Sequence, residues 1–312
     1  MRLLGCMIVR DESDAIELVV RHNLALLDGI AVIDHGSVDG TREILGALVD
    51  EGLPVSVSDD PWPALEQKAR INAVARHAFA TTDVDWLFPL DADEFLVAPS
   101  RAALERTLEE LPVDRAASFA WPTIVPSFDP RLPLARRLLE GRAVVDDARP
   151  WRKIAVPRAA LAHGRAEIGL GQHELVAVPG APMPPAPVPL PDGYAYAHVP
   201  IRSLEQFTGK FGAGWLAIVA KDHRRPTFST HWGVAFDRLA RGEAVDEDYL
   251  ARCAANYGSE PGLWRHGAER YAPAPRFLRT TQTRYGDLVR GDALARILAQ
   301  AERLLLAPAG AG

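Results

Sequence analysis

Cysteine is nearly absent: the 312-residue chain has two, Cys6 and Cys253, in no metal-binding or redox spacing. Cys6 lies inside an apolar segment that reads as a core strand, so both are expected as reduced thiols of a cytoplasmic protein. Long hydrophobic runs are missing as well. No stretch approaches the roughly 18 apolar residues of a membrane span. Met1 to Arg10 lacks the extended apolar region and cleavage site of a signal peptide and is expected to be a first strand. Positive charge is not in excess: 35 Lys and Arg against 41 Asp and Glu give a net charge of -6, which argues against a nucleic-acid partner. Neither Gly-x-Gly-x-x-Gly nor Gly-x-x-x-x-Gly-Lys-Ser/Thr occurs, so a dinucleotide Rossmann site and a P-loop are not expected. Internal repeats are absent.

What remains is an ordinary globular composition, 48% hydrophobic, long enough for one large α/β domain or two modest ones. Apolar segments at 3–9, 30–33, 54–57 and 86–90 alternate with amphipathic stretches at about 16–27, 41–49 and 64–79. That order predicts parallel strands with helices on both sheet faces. Ser13 is expected to cap the first helix, and Gly29 to end it in the left-handed conformation. Charged or small polar residues follow each strand: Arg10-Asp11-Glu12, Asp34 to Thr41, Asp59-Asp60, and Asp91 to Glu94. In an open α/β sheet such strand ends share the edge where ligands bind.

Beyond Phe95 the regularity loosens. Ser100 is placed to cap a helix reaching about residue 111. Strands are expected at 116–121, 152–157 and 194–199, short polar strands within 164–178, and an extended Pro-rich loop over 178–191. Residues 130–141 read as a loop or short helix. Ser203-x-x-Gln206 fits a capping box opening a helix to about 221. From His231 the chain reads as mostly helical and polar, closing in an amphipathic stretch over about 292–306.

The densest chemistry lies in Asp85-Trp86-Leu87-Phe88-Pro89-Leu90-Asp91-Ala92-Asp93-Glu94-Phe95. A continuously apolar strand, buried on both faces, ends in three carboxylates within four residues. Carboxylates this close repel one another, and a divalent cation bound to a phosphate compensates them. The plainer alternative is a helix N-terminus, whose first turn favours acids.

Residues 3–96, and more weakly the chain on to about 232, resemble the family 2-type glycosyltransferases of the GT-A fold. The resemblance is carried by Ile8-Val9-Arg10-Asp11-Glu12, by His22, by Asp34-His35-Gly36-Ser37-Val38-Asp39-Gly40-Thr41, by the Asp-x-Asp-Glu segment from Trp86 to Phe95, and by His198 ahead of Ser203 to Lys210. Arg10-Asp11-Glu12 stands where Lys-Asn-Glu is frequent, and His35 where an amide is usual. The resemblance implies an α/β fold with a Rossmann-like mixed sheet flanked by helices and a helical C-terminal region. Residues 1–232 would hold the donor and acceptor sites, with the nucleotide part in 1–96, and 233–312 would form an extension.

The implied activity is metal-dependent, inverting transfer of a sugar from a nucleotide-sugar, UDP-linked in preference, to a saccharide or small-molecule acceptor. The implied cofactor is Mn2+ or Mg2+ on Asp93, with His198 a further candidate ligand and Asp91 on the ribose or a metal-bound water. Asp34 would meet the nucleoside. Val9, Arg10, Glu12, Ser37, Asp39 and Arg70 complete the expected donor-binding set, although Ser37, Asp39 and Thr41 equally suit turn-shaping and capping. Glu94 stands behind the ligands or caps a following helix. Inversion needs a base near the acceptor hydroxyl. Glu174, Asp146, Asp147 and Glu167 lie in the right part of the chain, and Gly171-Gln172-His173-Glu174 is the densest polar cluster there, so Glu174 and His173 are the candidates. Trp121, Trp151, Trp215, Trp232 and Trp264 are stacking or core residues. A nucleotidyltransferase or phosphotransferase using the same carboxylate–metal logic is the first rival, and a non-catalytic nucleotide-binding protein the second. The C-terminal helix is expected to pack on its own domain, with a partner or a peripheral membrane contact as alternatives.

Overall fold

A computed structural model describes residues 1–60, 67–145, 151–222 and 230–306. The first third alternates as expected: β1 (Leu3–Val9), α1 (Ile16–Asn23), β2 (Gly29–Asp34), α2 (Thr41–Asp50), β3 (Val55–Asp59), α3 (Gln67–Thr81) and β4 (Trp86–Leu90). The expected beginning of α3 near Ala64 lies outside the described residues. The four strands are parallel in the order β3-β2-β1-β4. Side chains alternate across the central pair. Met7 and Phe88 join the cluster that includes Val19 and Leu45, whereas Cys6 and Leu87 join Ile71 and Ala75 of α3. Both faces are therefore covered, which is why β1 and β4 are apolar throughout. Val9, Asp34 and Asp59 come level in register, and Leu90 pairs with Met7, so the four strand ends share one edge.

Two local expectations fail. Ser13 does not cap α1: its hydroxyl has no partner, and its N–H goes instead to Asp39 Oδ2 at 2.9 Å. Gly29 does not end α1 in the left-handed region; it opens β2. Its constraint is space, because a Cβ there would sit 3.1 Å from the Pro54 carbonyl oxygen.

After β4 comes a strand, not a helix. β5 (Glu94–Val97) follows a tight turn in which the Glu94 N–H meets the Asp91 carbonyl and the Glu94 carboxylate accepts the Asp91 N–H at 2.9 Å. The helix N-terminus alternative for Asp91 to Glu94 is thereby overturned. The chain continues through α4 (Arg101–Glu109, with Ser100 as its cap), β6 (Ala117–Ala120), β7 (Ile124–Val125), α5 (Leu134–Leu139), β8 (Arg142–Val144), β9 (Arg152–Pro157), α6 (Arg158–Leu161), β10 (Ala166–Ile168), β11 (Leu175–Ala177), β12 (Val188–Pro189) and β13 (Ala195–His198). β9, β6, β13 and β5 extend the sheet beyond β4, with antiparallel pairs at β4–β9, β9–β6 and β13–β5. Parallel pairing needs a long crossover, usually a helix, and the regular strand–helix alternation that supplies one after each strand stops at β4. Beyond it, among the described residues, the parallel strand pairs are β6 with β12 and β6 with β13. The result is a mixed α/β sheet flanked by helices.

The remainder forms α7 (Leu204–Asp222), α8 (Thr230–Ala240), α9 (Glu247–Ala255), β14 (Tyr271–Pro273) and α10 (Ala293–Leu306). Ser203 Oγ accepts the Gln206 N–H at 3.0 Å, and the Gln206 side chain returns to the Arg202 N–H, one residue outside a capping box. As expected, α10 packs on its own domain, against α7. The approach is close enough that a Cβ on Gly209 would lie 2.9 Å from Arg296 Cδ and one on Gly212 would overlap Ile297. Leu294, Leu298 and Leu305 stay exposed on the outer side of α10. No helix among the described residues is long and apolar enough to cross a membrane.

Candidate functional site

The shared strand edge carries a cleft of ≈ 180 Å³ lined by Ile8 to Glu12 and His35 on one side and by α7 residues including Gly209, Lys210 and Ala213 on the other. Val9 and Arg10, both expected in the donor-binding set, line this cleft. Arg10 donates to Gln300 Oε1 of α10 at 2.9 Å. Glu12 also lines the cleft, but its carboxylate is engaged by Arg202, a fully buried guanidinium that also grips Asp14 at 2.8 Å. Burial pushes the Glu12 carboxyl up to about 7, although the Arg202 guanidinium pulls it the other way.

The segment after β2 is a hydrogen-bonded turn. Asp34 Oδ1 accepts the Ser37 N–H and hydroxyl, at 3.1 and 2.6 Å, and Ser37 Oγ accepts the Asp11 N–H. Asp39 Oδ1 accepts the Thr41 N–H and hydroxyl, which sets the first turn of α2. Gly40 has φ +99°, and a Cβ there would collide with the Leu288 carbonyl, so this turn demands glycine. Ser37, Asp39 and Thr41 therefore do the turn-shaping work. Arg70 is paired with Asp60, at the end of β3.

The acidic turn after β4 is held by two ammonium groups. Lys153 of β9 lies 2.7 Å from Asp91 Oδ2 and 2.9 Å from Glu94 Oε1. Burial would lower the Lys153 pKa, but these carboxylates hold it above its ordinary value. Glu94 is fully buried, and that burial pushes its carboxyl up. Its Oε1 also accepts Trp121 Nε1–H at 2.6 Å. Lys210 of α7 lies 2.7 Å from Asp93 Oδ2. Burial alone would raise the Asp93 pKa, yet Lys210 and Arg202 hold it well below the usual carboxylate range.

His198 reaches this turn because β13 pairs antiparallel with β5, placing His198 opposite Glu94. Its Nε2 faces Asp93 Oδ1 at 3.8 Å, Nδ1 has no hydrogen-bond partner, and the ring stacks on Trp121 at 4.2 Å. Burial drops its pKa to about 3, so the imidazole is neutral, as a metal ligand must be. Among the described residues no three His, Cys, Asp or Glu side chains are clustered to hold a metal. Asp93 and His198 fit a divalent cation as a two-residue donor set, with the remaining positions left to oxygens of a ligand.

The base candidates separate. His173 and Glu174 sit in the turn between β10 and β11. The His173 ring is half-buried between Trp121 and Trp151, whereas Glu174 is exposed. Glu167 is committed to Lys68 at 3.0 Å and Arg76 at 3.6 Å on α3. Asp146 and Asp147 lie outside the described residues. Of the tryptophans, Trp232 lines the cleft, and Trp264 packs on Tyr249.

Sequence reasoning gave Lys153, Lys210, Trp121 and Arg202 no part beside the carboxylates. A signal existed: only four of the 35 basic residues are lysines, and two of those four meet the acidic turn.

No family model and no curated protein matches the chain. Among solved structures it is similar to S. aureus TarS 1–349, at 13% identity over 77% of this chain and 71% of that one, with a TM-score of 0.37. It is also similar to the mannosyltransferase PcManGT from Pyrobaculum calidifontis in complex with GDP-Man and Mn2+, at 15% identity over 82% of this chain and 71% of that one, with a TM-score of 0.39. Likeness at this level bears on neither site nor substrate, which rest on the residues themselves.

Proposed function

We propose that the protein is a glycosyltransferase that moves a sugar from a nucleotide-sugar, UDP-linked in preference, to a saccharide or small-molecule acceptor. The observation that carries this is the pairing of Asp93 Oδ1 with a neutral, buried His198 Nε2 across 3.8 Å, at the strand edge where Asp91 follows β4. A buried carboxylate and imidazole facing each other without a hydrogen bond suit a cation shared with a diphosphate. Mn2+ or Mg2+ held by Asp93 and His198 would neutralise charge developing on the leaving diphosphate. Lys210 fixes the orientation of the Asp93 carboxylate, and Trp121 fixes the His198 ring. Asp91, about a third exposed although paired with Lys153, would meet the ribose or a bound water from its exposed side. Arg10 offers donors within the cleft, and Asp34 lies one residue before His35, which lines it.

Release of nucleoside diphosphate from a panel of UDP- and GDP-sugars tests the proposal. Release that requires Mn2+ or Mg2+ is expected. No release from any nucleotide-sugar, with either metal, contradicts it.

A further inference from the structure

The turn from Gly169 to Glu174 is built under backbone constraint. Gly171 has φ +71°, and Gln172, which is not a glycine, has φ +62°. Non-glycine residues held in this region cost free energy and persist where the surroundings over-determine them. Here the surroundings are the acidic turn. The Gln172 side chain is buried, with Oε1 3.1 Å from Lys153 Nζ and Nε2 3.4 Å from Asp91 Oδ1. The strained residue therefore ties this turn to the carboxylate that follows β4, and it sets the place of the next side chain, His173.

His173 is prepared as a proton acceptor. Nδ1 lies 2.7 Å from the Arg152 carbonyl oxygen, which can only accept, so Nδ1 carries the proton and Nε2 keeps its lone pair. Nε2 has no hydrogen-bond partner among the described residues. Burial lowers the His173 pKa from its ordinary value, so the ring is neutral at pH 7. Gly171 makes room for it, since a Cβ at 171 would stand 2.9 Å from Nε2. Trp121 meets the ring at 5.3 Å and Trp151 at 4.9 Å. Trp121 also stacks on His198, so one indole separates His173 from the proposed cation ligand. Trp151 is 41% exposed and offers its face for a sugar ring to stack on. Glu174 has none of this: its backbone carbonyl takes the Gly169 N–H, its Cγ rests on Gly169, and its carboxylate is exposed.

We propose that His173 Nε2 is the general base of the reaction, taking the proton from the hydroxyl of a saccharide acceptor seated against Trp151. The inference rests on the glycosyltransferase function proposed above. In the step, the acceptor oxygen forms its bond to the anomeric carbon while the bond from that carbon to the diphosphate oxygen breaks with its electron pair. The hydroxyl proton passes to Nε2, and the imidazolium later returns it to solvent.

The test measures nucleoside diphosphate release from a nucleotide-sugar, with water as acceptor where no sugar acceptor serves, for wild type, His173→Ala and Glu174→Gln. Donor binding is followed separately by thermal shift with UDP or GDP. For His173→Ala, kcat is expected to fall by about 100-fold or more with donor KM and nucleotide binding kept. The acidic limb of the pH–rate profile, below about pH 6.5 for an ordinary histidine, is expected to disappear, and added imidazole to restore part of the rate. Gly171→Ala, which pushes the intact ring aside, is expected to lower kcat as well. A His173→Ala enzyme with wild-type kcat and an unchanged acidic limb overturns the assignment, as does loss of turnover confined to Glu174→Gln. Wild-type protein that turns over no nucleotide-sugar overturns the function itself, and this role with it.

Discussion

Lys210 Nζ lies 2.7 Å from Asp93 Oδ2, the carboxylate oxygen that does not face His198. One oxygen of Asp93 is therefore committed to a fixed ammonium while the other faces the His198 imidazole. Both side chains are largely buried, so removing either partner strands a charge. Lys210→Met is expected to destabilise the fold by about 3 kcal/mol in urea denaturation, the cost typical of breaking a buried pair. Added Mn2+ is expected to recover part of that loss, because the cation takes over the missing compensation. A variant as stable as wild type, or indifferent to Mn2+, contradicts this arrangement.

Trp121 joins the acidic turn to both histidines. Its Nε1–H goes to Glu94 Oε1 at 2.6 Å, and its ring meets His198 and His173. Trp121→Phe keeps an aromatic ring but leaves a carboxylate oxygen of a fully buried residue short of a donor. The expected cost is about 1–3 kcal/mol in chemical denaturation. A change below about 0.5 kcal/mol would mean that Lys153 alone satisfies Glu94.

Much of this was legible in the sequence, for a physical reason. Strands β1, β2 and β4 are apolar or nearly so, β3 alternates Val with Ser, and the four are separated by helices of ordinary length, so both periodicity and order survive in one dimension. The carboxylates at the end of β4 stand out by their density. Their partners do not. Lys153 is 62 residues from Asp91 and Lys210 is 117 from Asp93, and no local pattern encodes a contact made by sheet pairing and helix packing. β5 was hidden because four residues after an acidic turn are too short to show a period. Gly29 misled because its constraint comes from Pro54 on the neighbouring chain segment, not from its own backbone angles.

Acid should weaken the fold through histidines that must stay neutral. His22 is fully buried, with Nε2 2.8 Å from the Leu96 carbonyl and Nδ1 accepting the Arg279 N–H at 3.0 Å. Burial lowers its pKa to about 4. A histidine whose folded pKa lies below its unfolded value, about 6.5, contributes stability that is complete above pH 6.5 and lost as pH falls toward 4. The loss is about 1.4 kcal/mol for each pH unit in that window. His35 and His231, also lowered to about 4 by burial, act in the same direction. Urea midpoints measured from pH 7 to pH 4.5 should fall, and His22→Gln, which can keep both hydrogen bonds, should fall less steeply. Parallel curves for the two proteins would contradict the assignment to His22.

The docking of α10 depends on the absence of side chains on α7. Gly212→Ala places a methyl group against Ile297 and is expected to cost about 1–3 kcal/mol by overpacking. Limited proteolysis should then cut within residues 285–306 faster than in wild type. Unchanged cleavage would mean that α10 shifts to accept the methyl without loosening.

The most direct test of the site is nucleotide binding against metal. UDP or GDP together with Mn2+ is expected to raise the melting temperature of the wild-type protein beyond the effect of either alone. Asp93→Asn, compared with its own ligand-free baseline, is expected to lose the metal-dependent part of that rise. A donor site that is not built on Asp93 would be revealed by a metal-dependent shift that persists in Asp93→Asn, or by no metal-dependent shift in the wild type at all.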